Sequence, residues 1–337
     1  MLIIMQQGVS ESVVEQVINR IEQLGLRVHI SRGEFRTIIG AIGEEKPVYP
    51  EQLLSIEGVE KVLPIMKPYK LASREFQPED SQVQIGSVLI GQGRCALIAG
   101  PCAIESRESL NETANIVKAS GANMLRGGAF KPRTSPYSFQ GMGEEGLKIL
   151  RECGDELGLP TVTEITDPRN VEMVDRYADM LQVGARNMQN FVLLSEIGKV
   201  RKPVLLKRGP SCTVKDWLMS AEYILSEGNH QVVLCERGSQ GFENGLRYTL
   251  DVGAIVLAKH DSHLPVIVDP SHAAGRRELV TDLALAGLAA GADGMIVEVH
   301  NCPEKALCDG PQALTDKMFA NLMEQAKKVL TAVGKDV

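Results

Sequence analysis

The sequence predicts an α/β protein in which a (β/α)8 barrel follows a small βαββαβ domain. From Ala96 onward, short apolar runs alternate with helical patterns eight times, as parallel strands buried on both faces and their crossover helices should. Chemically loaded residues leave nearly every run at its C-terminal end. That dispersion fits a barrel mouth better than a doubly wound open sheet, which concentrates its site at one switch point. The first 66 residues have another rhythm, that of a split-βαβ sandwich.

In chain order, Leu2–Met5 reads as a strand. Ser10 can cap a helix carrying Val13, Val14, Val17, Ile18, Ile21 and Leu24 on one face, with Gly25 as its stop. Leu26–Ile30 and Arg36–Ile42 read as strands joined around Gly33, Pro50–Ile56 as a short helix and Val59–Met66 as the last strand. This domain, 1–66, holds no cluster of catalytic side chains, and His29 is an isolated strand histidine. Residues 67–80, with Pro68 and Pro78, are expected to form a connector. The barrel then occupies 81–337, opened by a hairpin over Val83–Ile90 that turns at Gly86 and Ser87.

Its eight strands are expected at Ala96–Ala99, Asn123–Arg126, Thr161–Glu164, Met180–Val183, Val204–Lys207, Val232–Glu236, Val266–Asp269 and Gly294–Val299. Between them, Ser106 and Thr213 read as helix caps and Asp167 as a cap followed by proline. Gly143–Leu157 reads as a helix turning Leu147, Leu150 and Leu157 inward before Gly158.

Composition bounds the function. With 44% hydrophobic residues, 23% charged and a formal net charge of -7, the chain reads as soluble and globular, and no basic tail or block suggests nucleic acid. The acidic total is compatible with an anionic substrate, because local cations can focus potential in one cleft. Seven cysteines without a secretory leader point to a reducing cytoplasm, and no apolar run is long enough to span a bilayer.

The stretch Asn123–Ser135, NMLRGGAFKPRTS, is an apolar strand that bends at two glycines and emerges as a basic, hydroxyl-rich loop. Glycines permit close backbone approach, while Arg126, Lys131, Arg133, Thr134 and Ser135 can hydrogen-bond anionic oxygens. A second constellation is Cys102, His272, Glu298 and Asp309, one thiol, one imidazole and two carboxylates at or just beyond strand ends. Zinc, iron and manganese sites all draw on such mixtures, although the spacing is no compact metal motif. The competing reading makes Cys102 a small buried residue and His272 a loop hydrogen-bonder. His260, His263 and His300 are rival ligands, Cys95, Cys153 and Cys235 read as core, and Cys302 and Cys308 stay unassigned.

IAGPC, LRGGAFKPRTSPYSFQG, QVGARNMQN, LLKRG, LCERG, VDPSHAAGRR and VEVH together resemble the 3-deoxy-D-arabino-heptulosonate 7-phosphate (DAHP) synthase family. More closely, the chain resembles its microbial subclass with a ferredoxin-like domain in front of a TIM barrel, and the likeness runs over essentially the whole length. The resemblance implies condensation of phosphoenolpyruvate with erythrose 4-phosphate, the first step of the shikimate pathway to aromatic amino acids. It implies a divalent metal (manganese, iron or zinc) on Cys102, His272, Glu298 and Asp309. Phosphoenolpyruvate would meet Arg126, Lys131, Arg186, Lys207 and Arg237, and the aldose phosphate Arg133, Thr134 and Ser135. Lys131 is placed to pass a proton, while Glu164, Lys131 and a metal-held water are candidates for activating the attacking water. It further implies a homotetramer inhibited by tyrosine or phenylalanine through the front domain.

Two other readings compete. The related 3-deoxy-manno-octulosonate 8-phosphate synthases use arabinose 5-phosphate, but their loop typically reads Lys-Ala-Asn-Arg-Ser-Ser where this chain has Lys131-Pro132-Arg133-Thr134-Ser135. A non-catalytic metabolite sensor on the same barrel would be expected to have lost site residues, and none is lost here.

Overall fold

A computed structural model describes residues 1–33, 36–42, 50–63, 68–132 and 135–337. The chain divides into two compact units, Met1–Pro68 and Tyr69–Val337. In the first, β1 (Leu2–Met5), α1 (Glu11–Gln23), β2 (Arg27–Arg32), β3 (Thr37–Ile42), α2 (Pro50–Leu54) and β4 (Val59–Leu63) follow one another. The strands form an antiparallel sheet in the order β2-β3-β1-β4. Val14, Val17 and Ile21 recur at helical spacing on α1 and bury against Ile3, Met5, Ile39 and Ala41 of the sheet. Ser10 holds the N-cap position but makes no capping bond; its Oγ lies 2.8 Å from Ser12 Oγ. The last strand ends at Leu63, and residues 64–66 of the expected Val59–Met66 strand lie outside the described residues.

The second unit opens with the hairpin β5 (Val83–Ile85) and β6 (Val88–Ile90), whose turn uses Gly86 at φ 56, a left-handed value that suits glycine. Eight parallel strands then close on themselves: β7 (Ala96–Gly100), β8 (Met124–Arg126), β9 (Thr161–Ile165), β10 (Met180–Val183), β11 (Val204–Lys207), β12 (Val232–Glu236), β13 (Val266–Val268) and β14 (Gly294–Glu298). Each lies within a residue or so of its expected bounds. The outer layer is α3 (Arg107–Ala119), α4 (Gly143–Leu157), α5 (Val171–Tyr177), α6 (Phe191–Gly198), α7 (Val214–Ser226), α8 (Val252–Asp261), α9 (Pro270–Ala274), α10 (Arg277–Ala289) and α11 (Asp316–Ala332).

The expected caps hold locally. Ser106 accepts from the Ser109 amide, and Thr213 with Asp216 forms a reciprocal capping box. Asp167 accepts from the Arg169 amide ahead of Pro168, but the turn it caps is a short 3-10 helix that leads into α5.

The hairpin forms the floor of the barrel. Val83, Ile85, Val88 and Ile90 pack against Ala96, Ile98, Met124, Val162, Met180, Leu205, Val233, Ile267 and Ile296, the inward residues near the strand starts. Burial of each such side chain contributes about 1.5–3 kcal/mol relative to exposure.

Residues 69–80, read above as connector, are fastened to the barrel. The Lys70, Leu71 and Ala72 amides donate to the Glu222 carboxylate at 3.0, 2.9 and 2.9 Å. His263 Nε2 donates to the Leu71 carbonyl, so its Nδ1 accepts from Ser81 Oγ, both at 2.7 Å. Among the described residues, no helix is long and apolar enough to cross a membrane.

Candidate active site

Strand alternation decides which residues reach the mouth. In β11, Leu206 faces the helices, Lys207 faces the barrel axis, and Arg208 turns back to Glu236 and Asp251 at 2.9 and 3.0 Å. Of the two cations that leave this strand, only Lys207 lines the mouth. There a cavity of about 360 Å³ is lined by Arg126, Lys131, Ser135, Glu164, Arg186, Lys207, Arg237, His272, Cys308 and Asp309.

Two glycines shape the wall. A Cβ on Gly128 would fall 2.7 Å from the Cys102 carbonyl and 2.9 Å from Lys131 Nζ. One on Gly184 would fall 1.9 Å from Glu164 Oε1, so a side chain there would push that carboxylate from its place.

The cations are held by an inner ring of acceptors. Arg126 Nη1 donates to Glu298 Oε1 at 3.0 Å, and its Nη2 to the Cys102 carbonyl at 3.3 Å. Lys131 Nζ donates to the same carbonyl at 2.9 Å, and Arg186 Nη1 to the Pro132 carbonyl at 2.7 Å. Lys207 pairs with Asp269. Arg237 lies over the Tyr248 ring at 4.2 Å, and its buried Nη1 has no hydrogen-bond partner among the described residues. A buried guanidinium donor in that state is costly unless an anion accepts from it. Arg133 and Thr134 lie outside the described residues.

Beside the cations, His272 Nε2 lies 3.4 Å from Glu298 Oε1 and 3.9 Å from Asp309 Oδ2, while Cys102 Sγ lies 3.5 Å from Asp309 Oδ2. The four residues singled out as metal ligands therefore meet around Asp309. Burial pushes the Glu298 carboxyl up, but His272, Arg126 and Lys131 outweigh it and hold the group at about 2. Burial lowers His272 in spite of Asp269 and Glu298, which favours the neutral imidazole that binds metals. The Cys102 thiol is raised well above its ordinary value by its hydrogen bond with Cys308 and by burial. Cys308 is lowered by that same bond.

The rival histidines serve elsewhere. His260 is exposed beside Asp261, and His263 ties the 69–80 segment to the barrel. His300 accepts from the Cys302 amide and turns its Nε2 toward Glu105 at 3.5 Å.

Four contributors were not singled out from sequence. Asp269 caps α9 by accepting from the His272 amide, and its Oδ2 lies 2.8 Å from His272 Nδ1, which orients the ring. Its place directly before Pro270 was the available signal. Gln312 donates to Glu298 Oε2 at 2.6 Å and Asp309 Oδ2 at 3.3 Å, and is itself held by Arg247 at 3.0 Å. Its spacing of three residues from Asp309 was a weak hint; Arg247 gave none. Cys308 is the fourth, its Sγ 3.0 Å from Cys102 Sγ.

The donor set fits a divalent ion. His272, Glu298 and Asp309 offer atoms within 4.8 Å of one another, and Cys102, Cys308 and Asp309 do the same.

Comparison with known proteins gives the family of both units. Residues 73–333 match the DAHP synthetase I family and residues 1–67 the DAHP synthase ferredoxin-like domain. The phospho-2-dehydro-3-deoxyheptonate aldolase of Thermotoga maritima is 49% identical over 337 residues, 100% of both chains. A crystal structure of that Thermotoga enzyme superposes with a TM-score of 0.96 at 48% identity, covering 100% of this chain and 98% of the other. The 2-dehydro-3-deoxyphosphooctonate aldolase of Desulfatibacillum aliphaticivorans is 36% identical over 256 residues, 71% of this chain and 93% of its own. The chain belongs to the DAHP synthetase I family, with the ferredoxin-like domain of DAHP synthases in front of its barrel.

Proposed function

We propose that the barrel mouth condenses phosphoenolpyruvate with erythrose 4-phosphate and water, giving DAHP and inorganic phosphate. The observation that carries the reading is the convergence of Arg126, Lys131, Arg186, Lys207 and Arg237 on one cavity, with a buried Arg237 donor unpartnered among the described residues, beside a thiol, an imidazole and two carboxylates. The two substrates bring about five negative charges together, and only convergent cations offset that repulsion.

In this reading Arg126, Lys131, Arg186, Lys207 and Arg237 bind phosphoenolpyruvate, with guanidinium forks suited to carboxylate and phosphate. Arg133, Thr134 and Ser135 bind the aldose phosphate. Cys102, His272, Glu298 and Asp309 hold a divalent ion (manganese, iron or zinc), which when bound supplies the Lewis acidity that polarises the aldehyde. Burial opposes the charge on Lys131, but Cys102 and Glu164 nearby raise it, so the ammonium stays protonated as binder and proton donor. Glu164, beside it in the cavity, is the side-chain candidate for activating the attacking water.

The competing reading, an octulosonate 8-phosphate synthase, draws on the relatives at about one third identity. A coupled assay of phosphate release with each sugar decides it. Turnover with erythrose 4-phosphate should dominate, and faster turnover with arabinose 5-phosphate would overturn the proposal. We further assign the enzyme to the cytoplasm, as a homotetramer whose front domain mediates inhibition by tyrosine or phenylalanine.

A further inference from the structure

Cys308 is placed where the reaction proposed above asks for no thiol. It follows the short 3-10 turn Pro303–Lys305 and precedes Asp309, a non-glycine residue at φ 52. In extended chain, successive side chains point to opposite sides. The left-handed backbone at Asp309 breaks that alternation, and both consecutive side chains reach Cys102: Cys308 Sγ at 3.0 Å and Asp309 Oδ2 at 3.5 Å.

Buried free cysteines usually pack as small hydrophobes. Cys308 does so on one side only, against Ala103 and the partly buried Phe139, while its sulfur faces Cys102 in the lining of the mouth cavity. The donors of Cys102, Cys308 and Asp309 fall within the same 4.8 Å of one another as those of His272, Glu298 and Asp309, and Asp309 belongs to both sets.

We propose that Cys308 is an additional ligand of this centre, a second thiolate that biases it toward thiophilic divalent ions such as zinc or ferrous iron and against manganese. Thiolates select zinc and iron, whereas manganese prefers carboxylate, carbonyl and water oxygens. The inference rests on the reading of Cys102, His272, Glu298 and Asp309 as metal ligands. It adds a donor that the mouth would not need if charge neutralisation by carboxylates were sufficient.

The test uses full-length protein stripped with a chelator under reductant and reloaded with cobalt(II), whose thiolate charge-transfer absorption grows with the number of bound sulfurs. The parent should show the band of two thiolates; Cys308→Ser and Cys102→Ser should each show about half of it, and the double variant none. In chelator competition, Cys308→Ser should bind zinc at least about tenfold more weakly while manganese binding is unchanged. Cys308→Ala, which adds no hydroxyl, repeats both measurements if the serine variant unfolds, as judged by its melting transition. A Cys308 variant with the parent's band and the parent's zinc-to-manganese ratio overturns the inference. If cobalt binds but Cys102→Ser also keeps the full band, the metal reading itself fails, and the inference with it.

Discussion

At the floor of the barrel the strands present Met124, Val162, Leu205 and Ile296 to the apolar hairpin; a few residues on, the same strands present Arg126, Glu164 and Lys207 to the mouth and Glu298 to the donor cluster beside it. Both sets are inward-facing, and most of each is shielded from water. What separates them is what each can pair with. A charge at the floor would face only hydrocarbon, a penalty of several kcal/mol per ion. At the mouth fixed charges find a counter-ion or a backbone acceptor: Arg126 has Glu298, Lys207 has Asp269, and Lys131 has the Cys102 carbonyl, while Arg237 keeps a donor that a bound anion can take. One end can therefore carry stability and the other chemistry, and substitutions at the two ends should separate rate from melting temperature.

The largest effect is expected at the mouth. Cys102→Ala or His272→Ala should lower the turnover number by orders of magnitude with little change in melting temperature. Chelation should do the same, and a divalent ion should restore the rate. Full activity in verified metal-free protein would break the comparison.

Asp269→Asn sharpens it, because this residue belongs to both roles. Its carboxylate joins Lys207 and His272 while fully buried, and stranding Lys207 should cost about 3–5 kcal/mol in chemical denaturation. Burial pushes the group up, but His272 and Lys207 hold it well below the ordinary carboxylate range. Its folded value is thus depressed, so its contribution is complete above the unfolded value of about 3.9 and is lost as pH falls through the lower folded value. Acid titration of stability below pH 4 should flatten in the variant.

At the floor the expected pattern reverses. Ile85→Ala should cost about 2–5 kcal/mol and leave the rate of the folded fraction unchanged. A smaller effect comes from inorganic phosphate, one of the proposed products. If Arg237 and its neighbours bind it, phosphate at a hundred times its dissociation constant should stabilise the chain by about 2.7 kcal/mol, and Arg237→Met should abolish the shift.

How much of this was legible in the sequence follows from the same contrast. The eight strands and the hairpin were readable because continuous apolar runs and strand-end chemistry leave local marks, as VLLK and IVEV do, whereas the hairpin's place as the floor was not. Cys102, His272, Glu298 and Asp309 could be nominated, but their meeting around Asp309 depends on barrel closure, which joins β14 to β7 across nearly two hundred residues. Gln312, Arg247 and Cys308 were missed because their roles exist only through other side chains and through the left-handed turn at Asp309. The fastening of the connector was not legible for a similar reason. Its prolines and mixed charges resemble a free linker, while Glu222 and His263, which hold it, lie more than 150 residues away.

The smallest effect on rate is expected from removing the front unit. All its buried side chains among the described residues are apolar, and each residue assigned to the mouth belongs to Tyr69–Val337. Truncation should therefore begin at Tyr69, because the Lys70, Leu71 and Ala72 amides anchor the barrel's own N-terminal arm to Glu222. Such a chain should keep its turnover number and the melting transition of its barrel. What it should lose, if the front unit regulates as proposed above, is inhibition, because an effector shifts activity only by binding one arrangement of the protein more tightly than another. A coupling of about 1–3 kcal/mol would appear as a change of about 5- to 150-fold in apparent affinity, large enough to read from initial rates against tyrosine or phenylalanine concentration. Equal inhibition of full-length and truncated chains would move the effector site into the barrel. Inhibition of neither would leave the front unit without a regulatory role, and the contrast between the barrel's two ends would then account for all the activity the protein has.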